Sequence, residues 1–431
     1  MDTHKLYLRT ALVLLFAAAL LFGASETLWA SDAKVPGGDE KIALKSQARN
    51  GKMVFETEDG AYRWWFDSRV QFDGAYFFEN KNDMSNSFVL RRVTFALKAQ
   101  LARDWEAEVD VDFGERVYPE ANLDARDMWV KYSVPNTGLA FTVGNFKEPF
   151  GMERLNSSRL LTFLERSAPT NAFALGRRIG VAGRYYNKYG QLTLAAMGHE
   201  LGSRIDKGQR DDGMSGNLRL TAAPINQHGK NLHVGFAFSS KNPETLPDLA
   251  ENTIEIRART ENYIFDPKQL HTGDIKDVNY YTRYGYELMG IKGPFYFQGE
   301  AFTTDIFRWY DKPEVNLRGA YATVAWTVTG ETRYYYIDEG EVGPIEKPRQ
   351  DWGALEVAAR FSYTDLNDLG AGVKGGSSKQ IMLGVNYYPN NNIKLMLNYS
   401  IVDLDQYATR KGNLFGDDDH SFVQMRVQAS L

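Results

Sequence analysis

Asn392-Ile393-Lys394-Leu395-Met396-Leu397-Asn398-Tyr399-Ser400-Ile401-Val402-Asp403 alternates residue by residue. Ile393, Leu395, Leu397, Tyr399 and Ile401 fall on one face, and Lys394, Met396, Asn398 and Ser400 on the other. A period of two is the mark of a β-strand with two unlike faces. The preceding segment repeats the pattern, with Ile381, Leu383, Val385 and Tyr387 set against Gln380, Met382, Gly384 and Asn386. Pro389-Asn390-Asn391 supplies turn chemistry between the two, so the pair reads as a hairpin.

Carried outward, the same unit recurs near 64–78, 87–101, 104–114, 124–133, 138–146, 178–186, 190–199, 214–223, 231–239, 279–289, 294–307, 316–328, 352–363, 378–388, 392–403 and 420–431. That predicts an all-β chain, a sixteen-stranded transmembrane antiparallel β-barrel. Tight connections such as Ala102-Arg103 and Lys292-Gly293 alternate with longer ones, up to the stretch from Ser240 to Asp277. Short turns on one rim and long loops on the other describe an outer-membrane barrel. Trp64, Tyr76, Trp326, Tyr387, Tyr388 and Tyr399 fall at or near strand ends, where bilayer interfaces favour amphipathic rings. A soluble sandwich needs no such girdle. The long turn Thr329 to Asp351 breaks the short-rim rule and is expected to fold back inside the barrel or into the periplasm.

The 431 residues, with 43% hydrophobic and 13% aromatic content, exclude a disordered chain, and the absence of Cys excludes disulfide scaffolds and thiol chemistry. A mean hydropathy of -0.43 excludes a polytopic helical membrane protein. Lys and Arg total 50 against 55 Asp and Glu, net -5, so no nucleic-acid partner is expected. The one long apolar run, Thr10 to Gly23, follows His4, Lys5 and Arg9, and reads as a signal peptide over 1–30. Residues 31–63 are expected to be a polar periplasmic lead-in, and 64–431 the barrel.

Sixteen strands enclose an aqueous channel rather than a packed core, so the default function is passive conduction. Parity places Asp67, Arg69, Gln71 and Asp73 of the first strand inside, and Arg92, Thr94, Lys98 and Gln100 of the second. Arg91 has the wrong parity for the lumen, which puts it at the rim, in a bulge, or snorkelling to the interface. In the third strand Glu106, Glu108, Asp110 and Asp112 form one inward acidic column. The loop from Phe146 to Arg178 is long enough to enter the lumen, and it carries six bases, Lys147, Arg154, Arg159, Arg166, Arg177 and Arg178, against Glu148, Glu153 and Glu165. A short helix over Ser157 to Glu165 would put Arg159, Thr162 and Arg166 on one face.

Phe88-Val89-Leu90-Arg91-Arg92, Gly144-Asn145-Phe146-Lys147-Glu148-Pro149-Phe150-Gly151, Leu164-Glu165-Arg166 and Thr329-Gly330-Glu331-Thr332-Arg333 resemble the phosphate-selective porin O and P family, in consistent order over roughly Trp64 to Leu431. The resemblance implies a homotrimer in the outer membrane of a Gram-negative bacterium, an inward-folded third loop, and small anions such as phosphate as solutes. It implies pore roles for Arg69, Arg91 and Arg92, for Arg154, which stands where the family can place a lysine, and for Arg159 and Arg166. Arg257 and Arg259 resemble the start of the family's arginine ladder. Guanidinium suits this work, since its planar fork matches phosphate oxygens and stays charged.

The chain departs from the family in two places. Glu255 and Glu261 flank Arg257 and Arg259 at the same parity, and the column of Glu106, Glu108, Asp110 and Asp112 stands in the wall. An acidic wall opposite a basic loop would make a transverse field and a weakly selective general porin. Charges on a loop in the constriction lie nearer a passing ion than wall charges do, so the loop is expected to dominate. No catalytic, metal or cofactor motif is present: His199, His228, His233, His271 and His420 are scattered, and no nucleophile elbow occurs. Outer-membrane lipids are the remaining expected partners.

Overall fold

The computed structural model describes residues 44–49, 52–78, 80–114, 124–201, 213–243 and 252–431. The segment expected as a signal peptide, 1–30, and the start of the lead-in lie outside them.

The first two strands, β1 (Leu44–Arg49) and β2 (Lys52–Thr57), form a hairpin within the stretch expected to be a plain lead-in. β3 (Arg63–Phe78), β4 (Ser87–Leu101), β5 (Trp105–Asp112), β6 (Asp124–Val134), β7 (Leu139–Lys147), β8 (Arg177–Asn187) and β9 (Gly190–Met197) begin the barrel. β10 (Ser215–Gln227) and β11 (Lys230–Lys241) follow, then the two-residue strands β12 (Arg257–Ala258) and β13 (Leu270–His271) in the fifth loop. After β14 (Val278–Lys292), β15 (Phe295–Arg308) and β16 (Val315–Thr327) comes a hairpin of β17 (Arg333–Tyr336) and β18 (Glu341–Ile345). β19 (Ala354–Asp368), β20 (Val373–Tyr388), β21 (Ile393–Leu404) and β22 (His420–Ser430) complete the wall. β22 pairs with β3, from Ser421↔Phe78 to Ser430↔Arg69, and so closes an antiparallel barrel of sixteen strands. All sixteen expected segments are strands, with ends displaced by a few residues.

The exposure pattern is inverted relative to a soluble protein. Outward residues are apolar and open, as at Phe72, Val143, Leu194, Leu288, Ile381 and Leu397, while the buried wall positions are Gln71, Arg219, Glu287, Glu300, Arg360 and Gln424. Only a polar interior under an apolar exterior gives both a lipid face and a watery lumen. At the tight turn after β4, Ala102 and Arg103 both have positive φ, 50° and 68°, the geometry whose twist matches two flanking strands.

Among the described residues, three segments enter the lumen. The third loop carries α1 (Met152–Leu155) and α2 (Ala168–Phe173), not the expected helix over Ser157 to Glu165. Ser167 caps α2 by accepting from Thr170 N, with Pro169 in its first turn. Between the helices the carbonyls of Leu161, Thr162, Leu164 and Glu165 instead accept from Lys394, Asn386, Arg426 and Arg360 of the wall. Those donors replace intrahelical partners, so the segment runs as strapped turns and bends. The fifth loop reaches in far enough for Glu261 to accept from Ala168 N at 3.0 Å. From the opposite rim, the β17–β18 hairpin folds inward, the first of the two expected placements, and Val342 N donates to Asn156 Oδ1 of the third loop at 3.3 Å.

Candidate functional site: the constriction and its chambers

Charge is sorted within the third loop. Its three acids turn to the wall: Glu148 takes both terminal nitrogens of Arg283 (2.6 and 2.9 Å), Glu153 takes Arg360 at 2.6 Å, and Glu165 takes Arg426 and Arg91 at 2.9 Å each, with Arg92 at 3.6 Å. These partners are buried strand arginines whose desolvation is offset by bidentate or multiple contacts. Burial alone would raise the Glu165 carboxyl, but Arg91, Arg92 and Arg426 outweigh it and hold the group well below the usual carboxylate range.

The loop's own bases are held differently. Arg166 donates to the carbonyls of Glu153 (2.8 Å) and Asn156 (2.7 Å), Arg154 to Thr170 O (3.1 Å), and Lys147 to Leu155 O and Asn156 O. Carbonyls position a cation without cancelling it, and among the described residues none of these three forms an ion pair. Burial and mutual repulsion lower Arg166 to about 9, and burial lowers Arg154 to about 10, so both remain cationic at neutral pH. Among the described residues the buried Nε atoms of Arg154 and Arg177 have no hydrogen-bond partner. A cluster of cations with donors to spare is a place for an anion.

Below the loop lies a cavity of about 490 Å³ against β3 to β10, lined by Arg69 and Arg159 among nine bases, and by seven acids. Glu106, Glu108 and Asp110 of the acidic column line it, but the column does not stand alone. Glu106 pairs with Lys131 at 2.9 Å, Glu108 with Lys98 at 3.2 Å, Asp110 with Arg126 at 3.4 Å and Asp112 with Arg126 at 2.9 Å. The register sets Lys98 opposite Glu108 and Lys131 opposite Glu106, so neighbouring strands neutralise the column. Glu108, Asp110 and Asp127 approach within 4.8 Å of one another, a spacing that could admit a cation, but Lys98, Arg126 and Arg177 already supply the positive charge there.

The eight arginines expected along the anion path divide into groups. Arg69 and Arg159 line the cavity, Arg159 also bonding Asp67 at 3.1 Å. Arg154 and Arg166 belong to the loop cluster. The inward side chain of Arg91 is explained by a bulge: Gln71 faces Arg92 and Phe72 faces Leu90, leaving Arg91 as the extra residue. Arg91 and Arg92 both meet Glu165, and of the three placements expected for Arg91 the bulge is the one found. In the fifth loop Arg259 and Arg91 both pack on the Tyr263 ring, at 4.7 and 3.4 Å, whereas Arg257 is half-exposed beside Glu255. Glu261 leaves that row altogether and bonds Arg360 and Ser362. Arg219, Arg283, Arg333, Arg360 and Arg426 were not singled out from the sequence. Lumen parity on their strands was the available signal for Arg219, Arg283, Arg360 and Arg426, but parity does not say which of these arginines an acid will occupy.

A closed barrel of sixteen strands, apolar outside, polar inside and narrowed by an inward loop, is the architecture of an outer-membrane porin. The chain belongs to the family of phosphate-selective porin O and P, whose family model matches residues 66–430. Porin O of Pseudomonas aeruginosa is 25% identical over 94% of this chain and 96% of its own. Among solved structures, the anion-selective porin from Comamonas acidovorans superposes with a TM-score of 0.53 at 12% identity, covering 86% of this chain and 100% of that one. The trimer form of OmpT from Vibrio cholerae superposes with a TM-score of 0.51 at 10% identity, covering 86% and 100%.

Proposed function

We propose that this porin passes small anions by diffusion, phosphate among them. The observation that carries the reading is the sorting of charge in the third loop: its acids are spent on wall arginines, while Arg154 and Arg166 are held by carbonyls, form no ion pair among the described residues and keep their charge beside buried guanidinium N–H groups with donors to spare. Fixed cations in a partly dehydrated constriction favour anions. The name of the family and the likeness to porin O support phosphate as a solute. A single-channel reversal potential in a potassium chloride gradient tests the reading: it should report preference for chloride. A cation-selective potential overturns it, and a potential near zero favours a weakly selective general porin instead.

The chain acts by passage rather than turnover, as homotrimers surrounded by outer-membrane lipid, after removal of a signal peptide over 1–30. The inverted exposure of the wall supports the lipid contact, and the trimer form of a fold neighbour supports the assembly. Native electrophoresis of membrane extracts should give a heat-modifiable band at three times the protomer mass.

A further inference from the structure

The inward β17–β18 hairpin divides the periplasmic end of the lumen into two chambers that share Trp65, Arg159, Leu160 and Tyr336. They differ in chemistry. The first is the cavity already described, nearly balanced in charge. The second, about 800 Å³, lies between the hairpin, the Asn390–Asn392 turn and the ends of β3 and β22, a volume typical of small-molecule sites. Its lining contains five bases, Arg63, Arg159, Arg333, Lys347 and Lys394, and no Asp or Glu.

Two of those bases are cancelled from outside the chamber, Arg159 by Asp67 and Arg333 by Glu356. Three are not. Lys394 is held by Leu161 O at 2.6 Å, and among the described residues neither Lys347 nor Arg63 has an ion pair; the Arg63 Nε is buried without any partner. Interleaved with these charges are four aromatic rings, Trp65, Tyr334, Tyr336 and Tyr388. Arg63 already lies 5.4 Å from the Trp65 ring and Lys394 5.1 Å from that of Tyr388, while Tyr334 and Tyr336 are each 42% exposed. An inorganic anion would use only the cations. A flat ring bearing a negative group would use both features, laying its face on the tyrosines and its charge toward Arg63 and Lys347.

We infer that this second chamber is a binding site for organic anions built on a planar ring, which enter or leave by the periplasmic mouth. The inference deepens the anion-passage reading and rests on it for the direction of flow, but not for the site itself.

Block of chloride current by added phenyl phosphate tests the site, with methyl phosphate as the charge-matched probe lacking a ring and benzyl alcohol as the ring lacking a charge. Phenyl phosphate should block at a concentration about fivefold or more below methyl phosphate. The block should be stronger from one side of the membrane, and benzyl alcohol should not block. Tyr334→Ala combined with Trp65→Ala should erase the difference between the two phosphates and leave methyl phosphate unchanged. Lys347→Gln, at an exposed position, should weaken both. Equal block by the two phosphates, or a ring preference that survives the double variant, overturns the site. If the reversal potential of the same channels shows cation preference while the ring-dependent block persists, anion passage fails and the site stands.

Discussion

Arg426 Nη2 lies 2.9 Å from Glu165 Oε1, a contact between the last strand of the barrel and a loop that enters from the other side of the lumen. The same guanidinium holds both oxygens of Asp73 at 2.6 Å, so one buried arginine joins the seam that closes the barrel to the loop that narrows it. Arg91 and Arg92 converge on the same carboxylate from β4. Glu165 is therefore the pin of the constriction.

Glu165→Gln should release that pin. Removing one partner of a buried ion pair costs ~3–5 kcal/mol because the other charges stay behind unpaired, and here three guanidiniums would face one another. The barrel ladder does not depend on Glu165, so trimers should still assemble while single-channel conductance rises and becomes noisy. Wild-type conductance and noise in the variant would show that the loop is held elsewhere.

Arg154→Ala and Arg166→Ala should each weaken phosphate block of chloride current about tenfold, since a charge-assisted hydrogen bond contributes ~1.5–3 kcal/mol and 1.4 kcal/mol is a factor of ten. Arg92→Ala should behave differently. Its guanidinium is buried between Gln71 and Glu165, so its loss should change conductance through loop docking and leave phosphate block near wild type. Titration of the three variants with phosphate checks the contrast.

Anion preference should fall as pH rises. Burial, together with Arg257 and Arg259, brings the Lys268 ammonium down to about 8, and burial with Glu339 pushes the Glu341 carboxyl up to about 7. Between about pH 6 and about pH 9 the outer mouth loses a positive charge and the inner cavity gains a negative one, both against anions. Reversal potentials across that range should drift toward zero, and Glu341→Gln should flatten the lower half of the curve. A rise in anion preference with pH would contradict the assignment.

Arg219→Ala should loosen the periplasmic hairpin. Arg219 donates to Glu339 O at 3.0 Å and Gly340 O at 2.8 Å, while its partner Glu287 also meets His233, whose Nδ1 lies 2.7 Å from the Tyr335 hydroxyl. Without this latch the two lower chambers should merge, and conductance should increase with the assembled trimer preserved. Recordings at several voltages will separate a larger pore from an unstable one.

Each wall strand carries its own pattern. In β21 the alternation of Leu395, Leu397 and Tyr399 with Lys394, Met396 and Asn398 is a local property, because successive side chains of a strand must point to opposite faces. For that reason barrel, strand count, tight rim and lumen parity were all readable in the linear chain. Arg91 marks the limit of that logic: a one-residue bulge reverses parity, and only the pairing of Gln71 with Arg92 and Phe72 with Leu90 reveals it. Strand parity groups the acids of the third wall strand into one column, but the column's electrical weight depends on Lys98 and Lys131 standing opposite in register. The third loop was read correctly as basic, but the helix expected over Ser157 to Glu165 gave way to carbonyls strapped by Lys394, Asn386, Arg426 and Arg360, residues two hundred or so positions away. Periodicity along one strand is decided by neighbours in the chain. Which cations remain uncancelled is decided by partners that meet only when the barrel closes, and the choice of an anion path rests on that pairing.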